Sequence, residues 1–122
     1  MGLIWIDNAR PENLAGFPPA VIAPEVDFLA VHVYPDRGKV QVALDSLARY
    51  RAGKPIVIEE TFPLRCSAAE LSEFIQGSRG IASGWLEHYW GLTPADLQGT
   101  TDPASRLLLH SFELFEKLNP NR

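Results

Sequence analysis

The chain has 122 residues, which suits one folding unit with a single core and is too short for two. Hydrophobic residues make up 46% and charged residues 21%, ordinary globular proportions that exclude intrinsic disorder and the fibrous classes. The net charge is −4 and the basic residues are scattered, so the sequence predicts no binding to a nucleic acid or to a membrane. A neutral or polar small substrate is expected.

Cysteine and histidine content limits the cofactor chemistry. The single cysteine, Cys66, excludes an internal disulfide, and with three histidines it offers no spaced set of metal ligands. We therefore expect neither a metal nor another cofactor, and a structural Cys66. No apolar run approaches the ~20 residues that cross a bilayer, and the first residues lack the basic character of a signal peptide. The sequence does not indicate a compartment.

The first quarter of the chain predicts a short strand followed by a long connection. Residues 3–6 are apolar and rich in β-formers, and they are closed by Asp7 and Asn8, which we interpret as turn-formers. Residues 11–24 are rich in proline, glycine and alanine, which predicts a loop with one helical turn.

The middle of the chain predicts a strand, an amphipathic helix and a second strand. Residues 26–34 alternate between two apolar faces and end at Pro35. Residues 39–52 carry apolar side chains at helical spacing, with Gly53 expected at the position after the helix. Residues 56–58 form a β-branched run of the kind that is buried on both faces, and this run leads directly into Glu59 and Glu60.

The last third predicts a helix, a strand and a final helix. Ser67 and Glu70 have the spacing of a capping box, which opens a helix with one apolar face. Residues 81–86 form another strand, and residues 104–118 form the last helix. Two further dipeptides, Thr93-Pro94 and Asp102-Pro103, have the pattern of a helix cap followed by a first-turn proline.

Strands therefore alternate with helices, which predicts an α/β fold with parallel strands. Neither glycine-rich phosphate-binding pattern occurs in the sequence, which disfavours a nucleotide-binding sheet. In parallel α/β folds the functional groups lie at the carboxyl ends of the strands. Here those ends carry His32 and Tyr34, then Glu59 and Glu60, and then an aromatic segment that contains Trp85 and Trp90.

Side-chain alternation groups these residues by sheet face. His32 and Tyr34 share a face with Ala30, and strict alternation in the next strand puts Glu60 on one face with Ile58 and opposite Glu59. Alternation alone does not decide which face points into a pocket. Glu59 is interpreted as a supporting or solvated residue.

Three motifs resemble the last strands of clan A glycoside hydrolases, especially the family 5 cellulases and mannanases. The segment Lys54-Pro-Ile-Val-Ile-Glu-Glu60-Thr-Phe resembles their seventh strand, which ends in the nucleophilic glutamate. His32-Val-Tyr34 resembles the sixth-strand His-x-Tyr, whose members line the sugar subsite and hold the nucleophile. Gly84-Trp-Leu-Glu-His-Tyr-Trp-Gly91 resembles the eighth strand, which carries a tryptophan platform under the sugar.

The resemblance implies a partial TIM barrel in which residues 1–122 form a single half-barrel domain. It would contain four parallel strands, equivalent to barrel strands 5 to 8, with about three helices on the outer face. Glu60 would be the nucleophile of a retaining hydrolase that cleaves β-glycans. The implied substrate-binding residues are His32, Tyr34, Trp85, His88 and Trp90.

Two departures from the family pattern bear on activity. The usual platform tryptophan falls at His88, so the platform would shift to Trp85 or Trp90 or be absent. The acid/base glutamate of the family lies in an Asn-Glu dipeptide, and no such dipeptide occurs in this sequence. Because retaining hydrolysis needs both carboxyl groups, the resemblance implies weak activity or none for the chain alone.

These observations leave three functions open. The chain is predicted to be the nucleophile-bearing half of a glycoside hydrolase that acts on an oligosaccharide or polysaccharide. The alternative is a non-catalytic carbohydrate-binding or structural half-barrel, and a third is an unrelated α/β enzyme of barrel form. A complete barrel needs about 250 residues, and unpaired strand edges favour association. We therefore expect a homo-oligomer or a complementing N-terminal half.

Overall fold

A parallel sheet with helices in its connections forms the framework of the chain. The computed structural model describes residues 2–5, 18–87 and 91–119. In chain order the elements are β1 (Gly2–Trp5), α1 (Pro19–Ile22), a 3-10 turn (Ala23–Glu25), β2 (Leu29–His32), α2 (Val40–Ala48), β3 (Ile56–Thr61), α3 (Ala68–Gly77), a second 3-10 turn (Ser78–Gly80), β4 (Gly84–Glu87), α4 (Pro94–Leu97) and α5 (Pro103–Leu118).

Every described strand pair is parallel, and the strands lie in the sheet in chain order, β1-β2-β3-β4. The predicted α/β class and parallel pairing are therefore confirmed. Sequential parallel strands need a crossover between each pair, and α2 and α3 lie in the connections from β2 to β3 and from β3 to β4.

The hydrophobic core lies on one face of this sheet. Leu29 and Val31 of β2 and Ile56 and Ile58 of β3 are at most 1% exposed and belong to a single cluster with side chains of α2 and α3. Partly buried residues of α1 and α5 pack against the same cluster, namely Ile22, Leu114, Phe115 and Leu118. Because strand side chains alternate, Ala30 and Val57 point to the opposite face.

Side-chain caps fix the beginnings of three helices as the sequence predicts. The Ser67 hydroxyl accepts from the Glu70 amide, and the Glu70 carboxylate accepts from the Ser67 amide, so the predicted capping box is confirmed. Thr93 caps α4 in the same way, and Asp102 caps α5. Each satisfies backbone amides that a helix leaves unpaired in its first turn.

Several predicted boundaries are wrong. The strand predicted over residues 26–34 spans only Leu29–His32, and the helix predicted over residues 39–52 ends with Arg49 as its cap. Gly53 has the left-handed φ of 75°, but it lies four residues beyond that cap. The strand predicted over residues 81–86 begins later, because the amides of Ile81 and Ala82 both bond to the Ser78 carbonyl and extend the turn that follows α3.

Candidate active site

Three polar side chains, His32, Tyr34 and Glu60, form a trio at the carboxyl ends of the two central strands. The Tyr34 hydroxyl donates a hydrogen bond to Glu60 Oε1, and His32 Nδ1 lies 3.3 Å from Glu60 Oε2. The His32 and Glu60 side chains are 14% and 18% exposed, so solvent and a ligand can still reach the carboxylate. The structure thus brings together three of the site residues that the sequence predicts.

A β-bulge in β3 brings Glu60 to this position. Val31 pairs with Ile58, but the next residue of β2, His32, pairs with Glu60 rather than with Glu59. Glu59 is therefore an extra residue in the ladder, and it changes the alternation beyond it. Thr61 then pairs with Glu87 of β4, which continues the shifted register.

Strict alternation from Ile58 is consequently wrong for Glu60. Ile58 is fully buried against the helices, whereas Glu60 bonds to Tyr34 on the face that Ala30 and His32 share. Without the shift, Glu60 would point under the helices, where burial of an ionised carboxylate is strongly unfavourable. The bulge is the local feature that makes the site, since bulges re-aim side chains at the ends of strands.

Burial and the neighbouring carboxylate keep Tyr34 protonated. The pKa of the Tyr34 hydroxyl is raised well above its usual value, first because the ring is desolvated, and then because the hydroxyl bonds to Glu60 and lies close to its charge. A protonated phenol is a donor over the whole physiological pH range. Glu60 can therefore keep one oxygen bonded to Tyr34 while the second oxygen faces His32.

A second group of polar atoms lies between β3, β4 and α5. Thr61 and Ser111 are fully buried, and Thr61 Oγ1, Ser111 Oγ and Glu87 Oε1 have no hydrogen-bond partner of good geometry among the described residues. Burial raises the pKa of the Glu87 carboxyl, and the nearby Ser111 hydroxyl lowers it by a smaller amount. The predicted site did not include Glu87, although its place at a strand end was a signal for it.

Glu59 is half-buried rather than solvated. Its Oε2 atom is buried and has no hydrogen-bond partner within the described ranges. Two adjacent acidic residues thus occupy the space that one residue would fill in a regular ladder. Both glutamates can be identified from the sequence. The strand register that pairs Glu60, and not Glu59, with His32 cannot.

The aromatic part of the predicted site is only partly described. Trp85 pairs with Ile58, and its indole nitrogen donates to Ser78 Oγ at 2.9 Å. Because Ile58 lies on the helix-covered face, Trp85 lies there too and does not join the Glu60 trio. His88 and Trp90 lie outside the described residues, as do Asp7 and Asn8.

Cys66 does not provide a nucleophile in its folded environment. The thiol is buried, and desolvation, followed by the charges of Glu70 and Asp36, raises its pKa to about 11. Nucleophilic cysteines need a lowered pKa, so this finding agrees with the structural role expected for Cys66.

The described residues offer neither a metal cluster nor a membrane span. No group of three or more His, Cys, Asp and Glu side chains converges as a metal site in residues 2–5, 18–87 and 91–119. No helix in these ranges has the length and apolar character to cross a bilayer. Comparisons with family models, with curated proteins and with solved structures give no match to the chain.

Proposed function

We propose that this chain is the nucleophile-bearing half of a retaining glycoside hydrolase that acts on β-glycans, with Glu60 as the nucleophile. The observation that supports this most is the Tyr34–Glu60–His32 trio at the carboxyl end of the central strands. The trio brings the His-x-Tyr motif into contact with the Glu60 motif. Tyr34 and Glu60 are 26 residues apart in the sequence. Each motif alone is a weak signal.

The trio has the chemistry that a carboxylate nucleophile needs. Glu60 would attack the anomeric carbon, and the leaving-group oxygen would take a proton from an acid; water would then release the sugar and restore the carboxylate. A hydrogen bond from Tyr34 favours the ionised form of Glu60. An imidazole that carries its proton on Nδ1 donates to the other oxygen and fixes the plane of the carboxylate.

The different composition of the two sheet faces supports a half-barrel arrangement. Purely parallel sheets are almost always covered on both faces or closed into a barrel. Among the described residues the helix-packed core cluster lies on one face, and the other face has the buried Ala30 and Tyr34. The other face carries Glu60 and the 54% exposed Leu86. A complementing set of βα units, from a second copy or from an N-terminal half, would close the barrel over this face and supply the acid/base carboxyl.

A non-catalytic carbohydrate-binding or structural half-barrel is the competing function. Trp85 is the observation that favours it, since this aromatic lies on the helix face and is not a sugar platform beside Glu60. In this case the trio would only stabilise the strand ends. The two functions differ in whether Glu60 reacts with a sugar.

A mechanism-based probe separates them. An aryl 2-deoxy-2-fluoro-β-glycoside with a dinitrophenyl leaving group needs no acid catalyst, so an isolated nucleophile can still react with it. We expect the intact mass of the full chain to increase by one fluoroglycosyl group and peptide mapping to place this group on Glu60. The Glu60→Gln variant, which has nearly the same shape, should remain unlabelled.

Failure would be equally informative. An unlabelled wild-type chain that binds cello- or manno-oligosaccharides in calorimetry supports the carbohydrate-binding module. Labelling at Glu59 or Glu87 with Glu60 unmodified contradicts the nucleophile assignment. A Glu59→Gln variant is the matched control, because it removes the adjacent carboxylate and should be labelled as the wild type is.

A further inference from the structure

The loops that follow β2 and β3 are joined through the side chain of Glu70. Glu70 Oε1 accepts from the Gly38 amide at 2.7 Å, in the loop after β2. Glu70 Oε2 accepts from the Ser67 amide at 2.7 Å and from the Ser67 hydroxyl at 2.6 Å, at the beginning of α3. One carboxylate therefore caps a helix and also binds a second loop.

Two further contacts join the same loops. Arg65 Nε lies 2.7 Å from Asp36 Oδ1, and the Arg37 amide donates to the Arg65 carbonyl at 2.9 Å. We call the contacts Glu70–Gly38, Arg65–Asp36 and Arg37–Arg65 the loop clamp. All three join the segment 36–38 to the segment 65–70.

The loop clamp begins where the candidate site ends. Tyr34 lies two residues before Asp36, and Glu60 lies in the strand that leads to Arg65. The phenol of Tyr34 must stay over Glu60 to keep its hydrogen bond. Just beyond β2 the Val33 amide still donates to the Glu60 carbonyl at 3.0 Å, and past that bond the loop contacts join the two segments.

We propose that Glu70 is a positioning residue that holds the Tyr34 hydroxyl on Glu60 by clamping the loop after β2 to the beginning of α3. Gly38 suits this contact, because its φ of 70° turns the loop in a conformation that favours glycine. Glu70 reaches neither Tyr34 nor Glu60 and acts through the backbone. The expected effect of Glu70 on the reaction of Glu60 with a sugar rests on the proposed function. The effect of Glu70 on the position of Tyr34 does not.

The chain contains a matched control for helix capping. Asp96 forms the same reciprocal box with Thr93 at the beginning of α4, through contacts of 2.6 to 3.3 Å. Among the described residues its side-chain hydrogen bonds all go to Thr93, so it caps a helix without clamping the site loops. Asp96 also shows that an aspartate in this position completes a capping box.

Three variants of the full chain separate clamping from capping. Glu70→Asp keeps the box geometry that Asp96 has, but it lacks the methylene that reaches Gly38. Glu70→Gln removes the charge and replaces one carboxylate oxygen by an amide nitrogen, which cannot accept a hydrogen bond. The contacts with Gly38 and with Ser67 should therefore both become weaker. Asp96→Asn weakens capping alone. The readout is the ¹⁹F NMR titration of 3-fluorotyrosine-labelled protein, in which a Tyr34→Phe variant assigns the Tyr34 resonance.

We expect the titration midpoint of Tyr34 to fall toward that of free fluorotyrosine by about one pH unit or more in both Glu70 variants, because a looser phenol is better hydrated. It should not move in Asp96→Asn. Fluoroglycoside labelling of Glu60 should slow by about tenfold in the same two variants, since misplacement of supporting groups reduces rate.

The clamp is overturned if Glu70→Asp leaves the Tyr34 midpoint at the wild-type value, or if Asp96→Asn lowers it equally. A wild-type chain that is never labelled argues against the proposed function. The Tyr34 midpoints would still decide the clamp in that case. Thermal unfolding of each variant verifies that the titrations report on folded protein.

Discussion

Two glutamates at the ends of neighbouring strands have opposite environments. Glu60, at the end of β3, accepts from Tyr34 and faces His32 on the sheet face away from the helix-packed core. Glu87, at the end of β4, has one buried oxygen without a partner among the described residues, and burial raises its pKa. The two residue types are the same, but Glu60 accepts from a phenol and faces an imidazole, whereas Glu87 has the Ser111 hydroxyl close by and is dominated by desolvation.

The comparison shows how one extra residue decides on which sheet face a carboxylate lies. Thr61 pairs with Glu87, and Thr61 is fully buried. The bulge at Glu59 therefore separates Glu60 from Thr61 and Glu87, which share the other face. The Glu87 carboxyl, on the helix-covered face, is desolvated by burial. The Glu60 carboxylate, on the other face, contacts a phenol and an imidazole.

The largest expected difference between the two faces concerns matched leucines. Leu71 is fully buried in the core, whereas Leu86 is 54% exposed. We expect Leu71→Ala to lower the free energy of unfolding by about 2–5 kcal/mol, and Leu86→Ala to change it by about 0.5 kcal/mol or less. Urea unfolding of both variants measures this. Equal losses would mean that Leu86 is covered in solution, and a concentration-dependent midpoint would identify a partner copy.

The next effect concerns the donor to Glu60. Tyr34→Phe removes a hydrogen bond to a charged acceptor, so we expect a loss of about 1.5–3 kcal/mol at neutral pH. The raised Tyr34 pKa adds an alkaline signature. Above the usual pKa of 10.0 the unfolded phenol ionises while the folded one stays protonated, so wild-type stability falls as pH rises.

The slope of that alkaline loss should be smaller in Tyr34→Phe. Tyr50→Phe is the comparison: the pKa of Tyr50 is also raised, mainly by burial, so this variant should reduce the alkaline slope too, but without the loss at neutral pH that removal of the bond to Glu60 causes. Urea unfolding between pH 9 and 11 gives both slopes. If Tyr34→Phe and the wild type had parallel curves, the bond between Tyr34 and Glu60 would not persist in solution.

A smaller effect of opposite sign is expected at Glu87. Its folded pKa is raised, so the unfolded carboxyl ionises first and the stability of the chain falls as pH rises through that window. Glu87→Gln removes this charge and should stabilise the chain at pH 7, with a flatter stability profile above the usual glutamate pKa of 4.5. A destabilised variant at pH 7 would show that Glu87 has an ionic partner.

The smallest effect concerns the turn that the clamp uses. Gly38 has a φ of 70° and no atom within 4 Å of an added Cβ, so Gly38→Ala tests backbone strain alone. We expect a loss of about 1 kcal/mol, measured by urea unfolding. Gly80→Ala is the comparison, since Gly80 has equal space and no positive φ. A larger loss at Gly80 would contradict the strain argument.

Local sequence signals predicted much of the framework. Alternating strands and helices, the Ser67 capping box and the two cap-proline pairs all appear in the structure, because each depends on residues close together in the chain. Boundaries were less predictable. Ala82 is apolar enough for a strand, but its amide bonds to Ser78 and continues the turn after α3.

The sequence alone determined the α/β class and the positions of the titratable residues at the strand ends, since periodicity and caps are local properties. Only the tertiary structure decided that Glu60, and not Glu59, meets His32 and Tyr34, because the register of β3 against β2 depends on pairing between distant segments. It also decided that Trp85 lies on the helix side. A register shift of one residue moves a side chain to the other face of the sheet and hardly changes the local strand preference. The register therefore cannot be predicted from the sequence of a single strand.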